Sequence, residues 1–377
     1  MDKKPGPRSR ALFRDEQTVV APGQQRIALL SELALASGRG ATVTDLDGNT
    51  YLDFFAGVAV ASLGHAHPGY IAAVEAQLRR ISVGSFTTEN RLRLLNLIAK
   101  LAPGTLGRTQ LFSGGAEAVE AAFRLAMSYT GKHEIVGFWG GFHGKTAGVM
   151  GLIGDESKHG WGPLPGGRFS VPYADCARCP FGLRYPDCGL ACADFARQTI
   201  KRTTSGAVAA IIIEPMQGTA GNVIPPPDFL PAIQSVAKEI GALLIADEMI
   251  TGFGRTGRWF GCNHSDVVPD IMTVGKGMGN GFPISGVIST DTIVTAEPFA
   301  RASASSSSYG GNPLASTAAL ATIETMLDDG LVEHTARVGA HMLDRLRILR
   351  EKYPFVGDVR GVGLMLGMDL VNNRESN

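Results

Sequence analysis

The chain has 377 residues, 44% hydrophobic and 19% charged, with 35 Lys plus Arg against 35 Asp plus Glu. That length suits one large domain with a smaller companion, and the apolar content suffices for an extended core. A formal net charge of +0 makes no electrostatic case for nucleic acid or an anionic membrane as partner.

No apolar run approaches the roughly 20 residues that cross a bilayer, and the N-terminus lacks a signal peptide's apolar core. A cytoplasmic location is therefore expected. The basic start (Lys3, Lys4, Arg8 and Arg10, with Pro5 and Pro7 among them) reads as a disordered tail. A hairpin is expected over 41–45 and 50–54, turning through Asp47-Gly48-Asn49. Beyond it, short β-branched runs alternate with longer helical ones. The pattern predicts strands over 109–112, 134–138, 208–214, 243–247, 271–274 and 286–289. Helices are expected over 116–130, 227–240 and 313–328, the last with Pro313 in its first turn. Such alternation implies an α/β fold around a mostly parallel sheet. A helix over 332–351 and a strand over 363–370 follow. The division expected is a segment 1–60, a large domain 61–315 and a small C-terminal part 316–377. The text stops soon after its last strand with no closing helix, so a truncated small domain is expected.

Four of the five cysteines cluster as Cys176, Cys179, Cys188 and Cys192, a C-x2-C and a C-x3-C pair separated by eight residues. Two readings stand here: a small zinc knuckle, or an irregular insertion of reduced thiols. No metal ligand is assigned.

The chemistry gathers at strand ends. Lys276 ends a strand inside a glycine-rich turn, where open sheets bind ligands. A phosphate-loop reading fails, because it needs Gly at position 270 and Ser or Thr at 277, where the chain has Asp270 and Gly277. Glycines 252, 254 and 257 have dinucleotide spacing, but no helix is expected after Gly257, so that reading is set aside. Asp247 ends another strand; a buried carboxylate needs a cationic partner, such as a protonated pyridine, or else serves as a helix cap or internal ion pair. Ser113-Gly114-Gly115-Ala116 turns from a strand into an alanine-rich helix, whose free N–H groups suit a phosphate, or whose Ser113 is merely a cap. Phe142 and His143 lie on a glycine loop, where the ring can stack on a flat ligand or pack in the core. His65 and His67 have the look of a metal pair, but a turn before Pro68 is preferred. The run Ser305–Ser308 offers hydroxyls to a phosphate or forms a plain loop.

Taken together and in this order, these motifs resemble the class III pyridoxal-phosphate aminotransferases, such as those acting on 4-aminobutyrate, acetylornithine and ω-amino acids. The likeness runs from Asp45-Leu-Asp-Gly-Asn-Thr-Tyr through Gly64-His-Ala-His-Pro, Glu214-Pro-Met-Gln-Gly, Asp247–Gly257 and Gly275–Pro283 to Tyr309-Gly-Gly-Asn-Pro. It implies a fold-type I transferase acting as a homodimer with shared active sites, with pyridoxal 5'-phosphate as cofactor. It implies Lys276 as the Schiff-base lysine and Asp247 as partner of the ring nitrogen. Gly115 and Ala116 would bind the phosphate, Phe142 would stack on the ring beside His143, and Met249 would pack on the other face. Ser308 would reach the phosphate from the other subunit. The partners implied are an amino donor and a keto-acid acceptor.

The sequence departs from the family at Ile250, where many members have Gln, and at Thr219, which replaces an acid of several ω-amino branches. Ile250 leaves the substrate branch open, and Thr219 argues against dual recognition of 4-aminobutyrate-like and α-keto acid substrates. The family continues for some tens of residues with a part that completes the small domain and usually supplies a substrate-carboxylate arginine, so a chain ending here is expected to put folding and activity at risk. The cysteine stretch is an addition not common to the family. An amino-acid racemase on the same scaffold, or a non-catalytic pyridoxal-phosphate-binding protein, are the competing readings.

Overall fold

The computed structural model describes residues 5–372; Lys3, Lys4 and the end of the C-terminal segment, 373–377, lie outside the described residues. In chain order the strands are β1 (Leu35–Arg39), β2 (Thr42–Asp45), β3 (Thr50–Leu52), β4 (Arg108–Phe112), β5 (Glu134–Phe138), β6 (Arg168–Val171), β7 (Val208–Ile213), β8 (Leu243–Asp247), β9 (Ile271–Val274), β10 (Ser285–Ser289), β11 (Val356–Val362) and β12 (Met365–Leu370). Strands β4 to β10 form a seven-stranded sheet in the order β4-β10-β9-β8-β7-β5-β6. Only β10 runs against its neighbours; the other pairings are parallel. The C-terminal ends of β4, β5, β7, β8 and β9 therefore share one edge.

These central strands are nearly continuous runs of apolar residues because both faces are covered. Side chains alternate faces along a strand. In β7, Ala210 and Ile212 join one buried cluster, while Val208, Ile211 and Ile213 join the other. The helix Gly115–Thr130 lies over the first face and touches β4, β7, β8, β9 and β10. Its buried Ala118, Ala121, Ala122, Leu125 and Ala126 fall on one stripe, and the small alanines let the backbone approach the sheet. Gly131 closes it at φ 69°.

The strands and helices expected from the sequence form within a residue or two of their expected bounds, but the sheet's edge strand β6 and the helices Pro68–Leu78, Glu89–Leu101 and Ala191–Thr203 were not among them. Several elements differ from the expectation. The expected hairpin, β2 with β3, carries a third strand, β1. The final strand is half of a second hairpin, β11 with β12, and Gly363 is its turn at φ +56°. The basic tail is ordered from Pro7 onward as the helix Pro7–Gln17. Pro7 suits a first-turn position, and Asp47 accepts hydrogen bonds from the backbone N–H of Arg8 and Ser9 and from the Ser9 hydroxyl. That tether spans nearly forty positions, so local composition does not reveal it.

The C-terminal hairpin meets the helix Leu331–Lys352 at a glycine crossing, where a Cβ on Gly339 would fall 2.0 Å from the Gly363 carbonyl oxygen. Backbone cannot yield as a flexible side chain does. Gly339→Ala is expected to cost about 1–3 kcal/mol by overpacking, read as a lower denaturant midpoint. An unchanged midpoint would mean that this crossing is looser than described.

Candidate active site

Four strand ends build one cavity of about 380 Å³, walled by Gly115, Ala116, Phe142, His143, Asp247, Met249 and Lys276. Seven of the eight site residues read from the sequence thus converge. Ser308 does not join them within the chain: it is exposed on the loop over 301–312.

β8 ends on Asp247, which is 1% exposed. Its Oδ2 lies 2.7 Å from His143 Nδ1, and its Oδ1 accepts from the Thr273 hydroxyl at 3.0 Å and the Met249 N–H at 3.2 Å. Burial opposes charge on His143, but the Asp247 hydrogen bond and the negative fields of Asp247 and Glu214 outweigh it, so the imidazole pKa is raised. The neighbouring Glu248 turns the other way. It is fully buried and accepts from the N–H of Gly261 and Cys262 at 2.7 and 2.8 Å, and from the Thr251 hydroxyl. Burial raises its pKa against those hydrogen bonds. It braces the turns over 248–262, and among them no helix opens after Gly257 in the dinucleotide manner.

β9 leads through Gly275 to Lys276, held at φ 42°, a left-handed conformation uncommon outside glycine and asparagine. Burial lowers the Lys276 pKa, and the charges of Asp247 and Glu214 oppose that fall. A Cβ on Gly275 would lie 2.7 Å from Met249 Sδ, and one on Gly115 would lie 3.3 Å from it. Met249 is thus seated between two backbones that carry no side chain there. The lysine loop is anchored from afar: Leu63 N–H donates to Asn280 Oδ1 at 2.9 Å, and the Tyr70 hydroxyl donates to the Gly279 carbonyl at 3.1 Å. His67 caps the helix Pro68–Leu78, and His65 Nε2 lies 2.6 Å from Asp53 Oδ2, so the two histidines take separate structural roles.

β4 delivers the glycine turn. Gly114, not Ser113, is the N-cap of the helix Gly115–Thr130, and Glu117 folds back to accept the N–H groups of Ser113 and Gly114. Gly115 and Ala116 are the first two helical residues, whose N–H groups have no acceptor within the helix. β5 delivers Phe142, whose N–H donates to Glu214 Oε1 at 2.9 Å. Glu214 Oε2 accepts from Gly218 N–H at 3.0 Å; its burial raises its pKa, with His143 opposing and Asp247 adding to the rise.

Thr273, Glu214 and Glu117 were not singled out from the sequence. A hydroxyl inside the otherwise apolar Ile271–Val274, or a carboxyl ending the run of β7, is a signal, since buried polar groups need partners. The partners themselves depend on strand order.

This donor set fits pyridoxal phosphate: a buried carboxylate for a ring cation, a buried amine, and open N–H groups at a helix N-terminus for a phosphate. Fold and site together define a fold-type I, pyridoxal-phosphate-dependent transferase. The chain belongs to the class-III aminotransferase family, whose model, Aminotransferase class-III, matches residues 24–377. It is 39% identical to an acetylornithine aminotransferase of Methanothermobacter thermautotrophicus over 90% of this chain and 81% of that protein. It is 33% identical to a leucine/methionine racemase of Thermococcus litoralis over 95% of this chain and 81% of that protein. Among solved structures, an (S)-enantioselective omega-transaminase from Thermomicrobium roseum superposes with a TM-score of 0.90 at 33% identity, covering 97% of this chain and 85% of that one.

The His143–Asp247 pair is testable by histidine NMR. His143 is expected to titrate above the ordinary histidine range and, in Asp247→Asn, below it, because burial then dominates. The sign for stability follows from a raised folded-state pKa. This stabilisation is fully present below the unfolded histidine value and is lost as pH rises through the raised one. A titration that ignores the Asn substitution would refute the pairing.

Proposed function

We propose that this member of the class-III aminotransferase family takes an amino group from an amine or amino-acid donor and delivers it to an α-keto acid or aldehyde in two half-reactions at one site. The observation that carries this reading is the convergence of Lys276 and the buried Asp247 on a single cavity at the strand ends. In the proposed assignment Lys276 would hold the cofactor through its amine, and Asp247 would hold a proton on the ring nitrogen, with His143 and Thr273 fixing its carboxylate. Gly115 and Ala116 would bind the phosphate, and Phe142 and Met249 would pack against the ring. Bound pyridoxal phosphate supplies the electron sink that stabilises charge left on the substrate carbon. Lys276 Nζ would move the proton: burial lowers its pKa toward the neutral amine, which would take a proton from the amine-bearing carbon and deliver it on the cofactor side of that carbon–nitrogen bond, leaving the amino group with the cofactor.

The proposal extends to the assembly. Ser308 serves the phosphate of a second copy, and exposed Leu52, Phe54, Phe86 and Tyr309 support a homodimer interface. Residues 1–60 and 316–377 flank the large domain over 61–315. Among the described residues no helix is long and apolar enough to cross a membrane; a cytoplasmic setting is part of the proposal. The substrates are small molecules, and the departures from the family at Thr219 and Ile250 bear on their choice.

Borohydride reduction of the holoenzyme followed by peptide mass mapping is expected to place the cofactor on Lys276. Lys276→Ala should lose that adduct and at least about 10³-fold of activity. A label on another lysine would overturn the assignment. The likeness to the Thermococcus racemase favours racemisation as a second reading. Loss of optical purity in an amino acid with no keto acid formed would decide for it.

A further inference from the structure

Outside the cofactor cavity, the insertion between β6 and β7 gathers four cysteines. Cys176, Cys179, Cys188 and Cys192 all line one further cavity, about 20 Å³ in volume, with walls otherwise mainly apolar. A space of that size holds a single water or ion. The chain reaches it by two tight turns. Cys176 opens a short 3-10 turn, Cys176–Arg178, capped by the Asp175 carboxylate, and Cys179 ends it with its carbonyl accepting from Gly182 N–H. On the other side, Gly189 and Leu190 are both left-handed, and Cys192 sits in the first turn of the helix Ala191–Thr203.

Among the described residues, no three His, Cys, Asp or Glu side chains already stand in metal-holding geometry, and all five cysteines are free thiols. Closing the site therefore requires side-chain rotation within the two turns.

We propose that Cys176, Cys179, Cys188 and Cys192 close as a four-thiolate site for one soft divalent cation, zinc foremost, clamping the two turns of the insertion together. Four sulfur ligands in paired turns suit tetrahedral zinc, and binding releases the thiol protons to solvent. The site is structural in position. Arg178, between the first two cysteines, pairs with Asp175 at 2.9 Å and reaches Asp369 of β12 at 3.8 Å. Asp369 also holds Arg360, which donates to the carbonyls of Gly221 and Asn222. Tyr173, in the same wall, donates to the carbonyls of Glu214 and Pro215. The knuckle thus braces the loop after β7 without touching the cofactor cavity.

The test is metal analysis of the holoenzyme, expressed in zinc-supplemented medium and dialysed against metal-free buffer. About one zinc per chain is expected, released when a mercurial reagent titrates the thiols. Cys179→Ser with Cys188→Ser should lose the zinc and keep bound pyridoxal phosphate. Cys262→Ser, away from the cluster, should keep both. Should the double variant fail to fold, cobalt substitution of the wild type gives the answer, as a thiolate-to-cobalt charge-transfer band is expected. Wild-type protein with no zinc and no such band overturns the proposal. So does a thiol count that rises on reduction, because it would show the cysteines paired as disulfides.

Discussion

A carboxylate held almost dry at the end of a strand is the constraint around which this molecule is arranged. An unpaired charge in that position costs several kcal/mol, so Asp247 must be surrounded by donors before it is useful. The three it has come from three places: the His143 ring on the loop after β5, the Thr273 hydroxyl on β9, and the Met249 N–H just beyond β8. Only a sheet that sets β5, β8 and β9 in one parallel sense presents these groups at the same edge. The topology is thus a requirement of the buried charge as much as of the core.

The neighbouring acids show how one residue type is put to different uses by its surroundings. Glu248 adjoins Asp247 in sequence, yet it faces away and satisfies two backbone N–H groups and a hydroxyl. Glu214 binds the N–H groups of Phe142 and Gly218 and adds its field to that of Asp247 on His143. Between them, Lys276 is drawn toward neutrality by burial and toward charge by Asp247 and Glu214. An amine balanced in that way can both give and accept a proton. The glycines at 115 and 275 complete the arrangement by leaving room for Met249.

Much of this was legible from the residues alone, for physical reasons that differ by element. Apolar runs such as Leu243–Asp247 and Ile271–Val274 mark strands buried on both faces; Asp247 ends the first, and Gly275 breaks the second just before Lys276. Phe142, His143 and Lys276 were legible because glycine loops after such strands face the ligand edge. What stayed hidden depends on distant partners. Thr273 and Asp247 are 26 residues apart, and Glu214 and Phe142 are 72 apart, so strand order alone brings them together. β1 and β11 were missed because Leu-Ala-Ser-Gly-Arg and Val-Gly-Asp-Val-Arg-Gly-Val carry little alternation. The helix near the N-terminus looks like a tail until Asp47 is seen beneath it.

The most direct measurement is rapid-mixing absorbance of the cofactor in wild-type protein and in Asp247→Ala, first with an amino donor and then with pyruvate or 2-oxoglutarate. The donor is expected to bleach the wild-type cofactor band and the keto acid to restore it. In Asp247→Ala both phases should slow by about 10²-fold or more, because the ring proton is no longer held. Wild-type rates in the variant would contradict the central place given to the buried carboxylate.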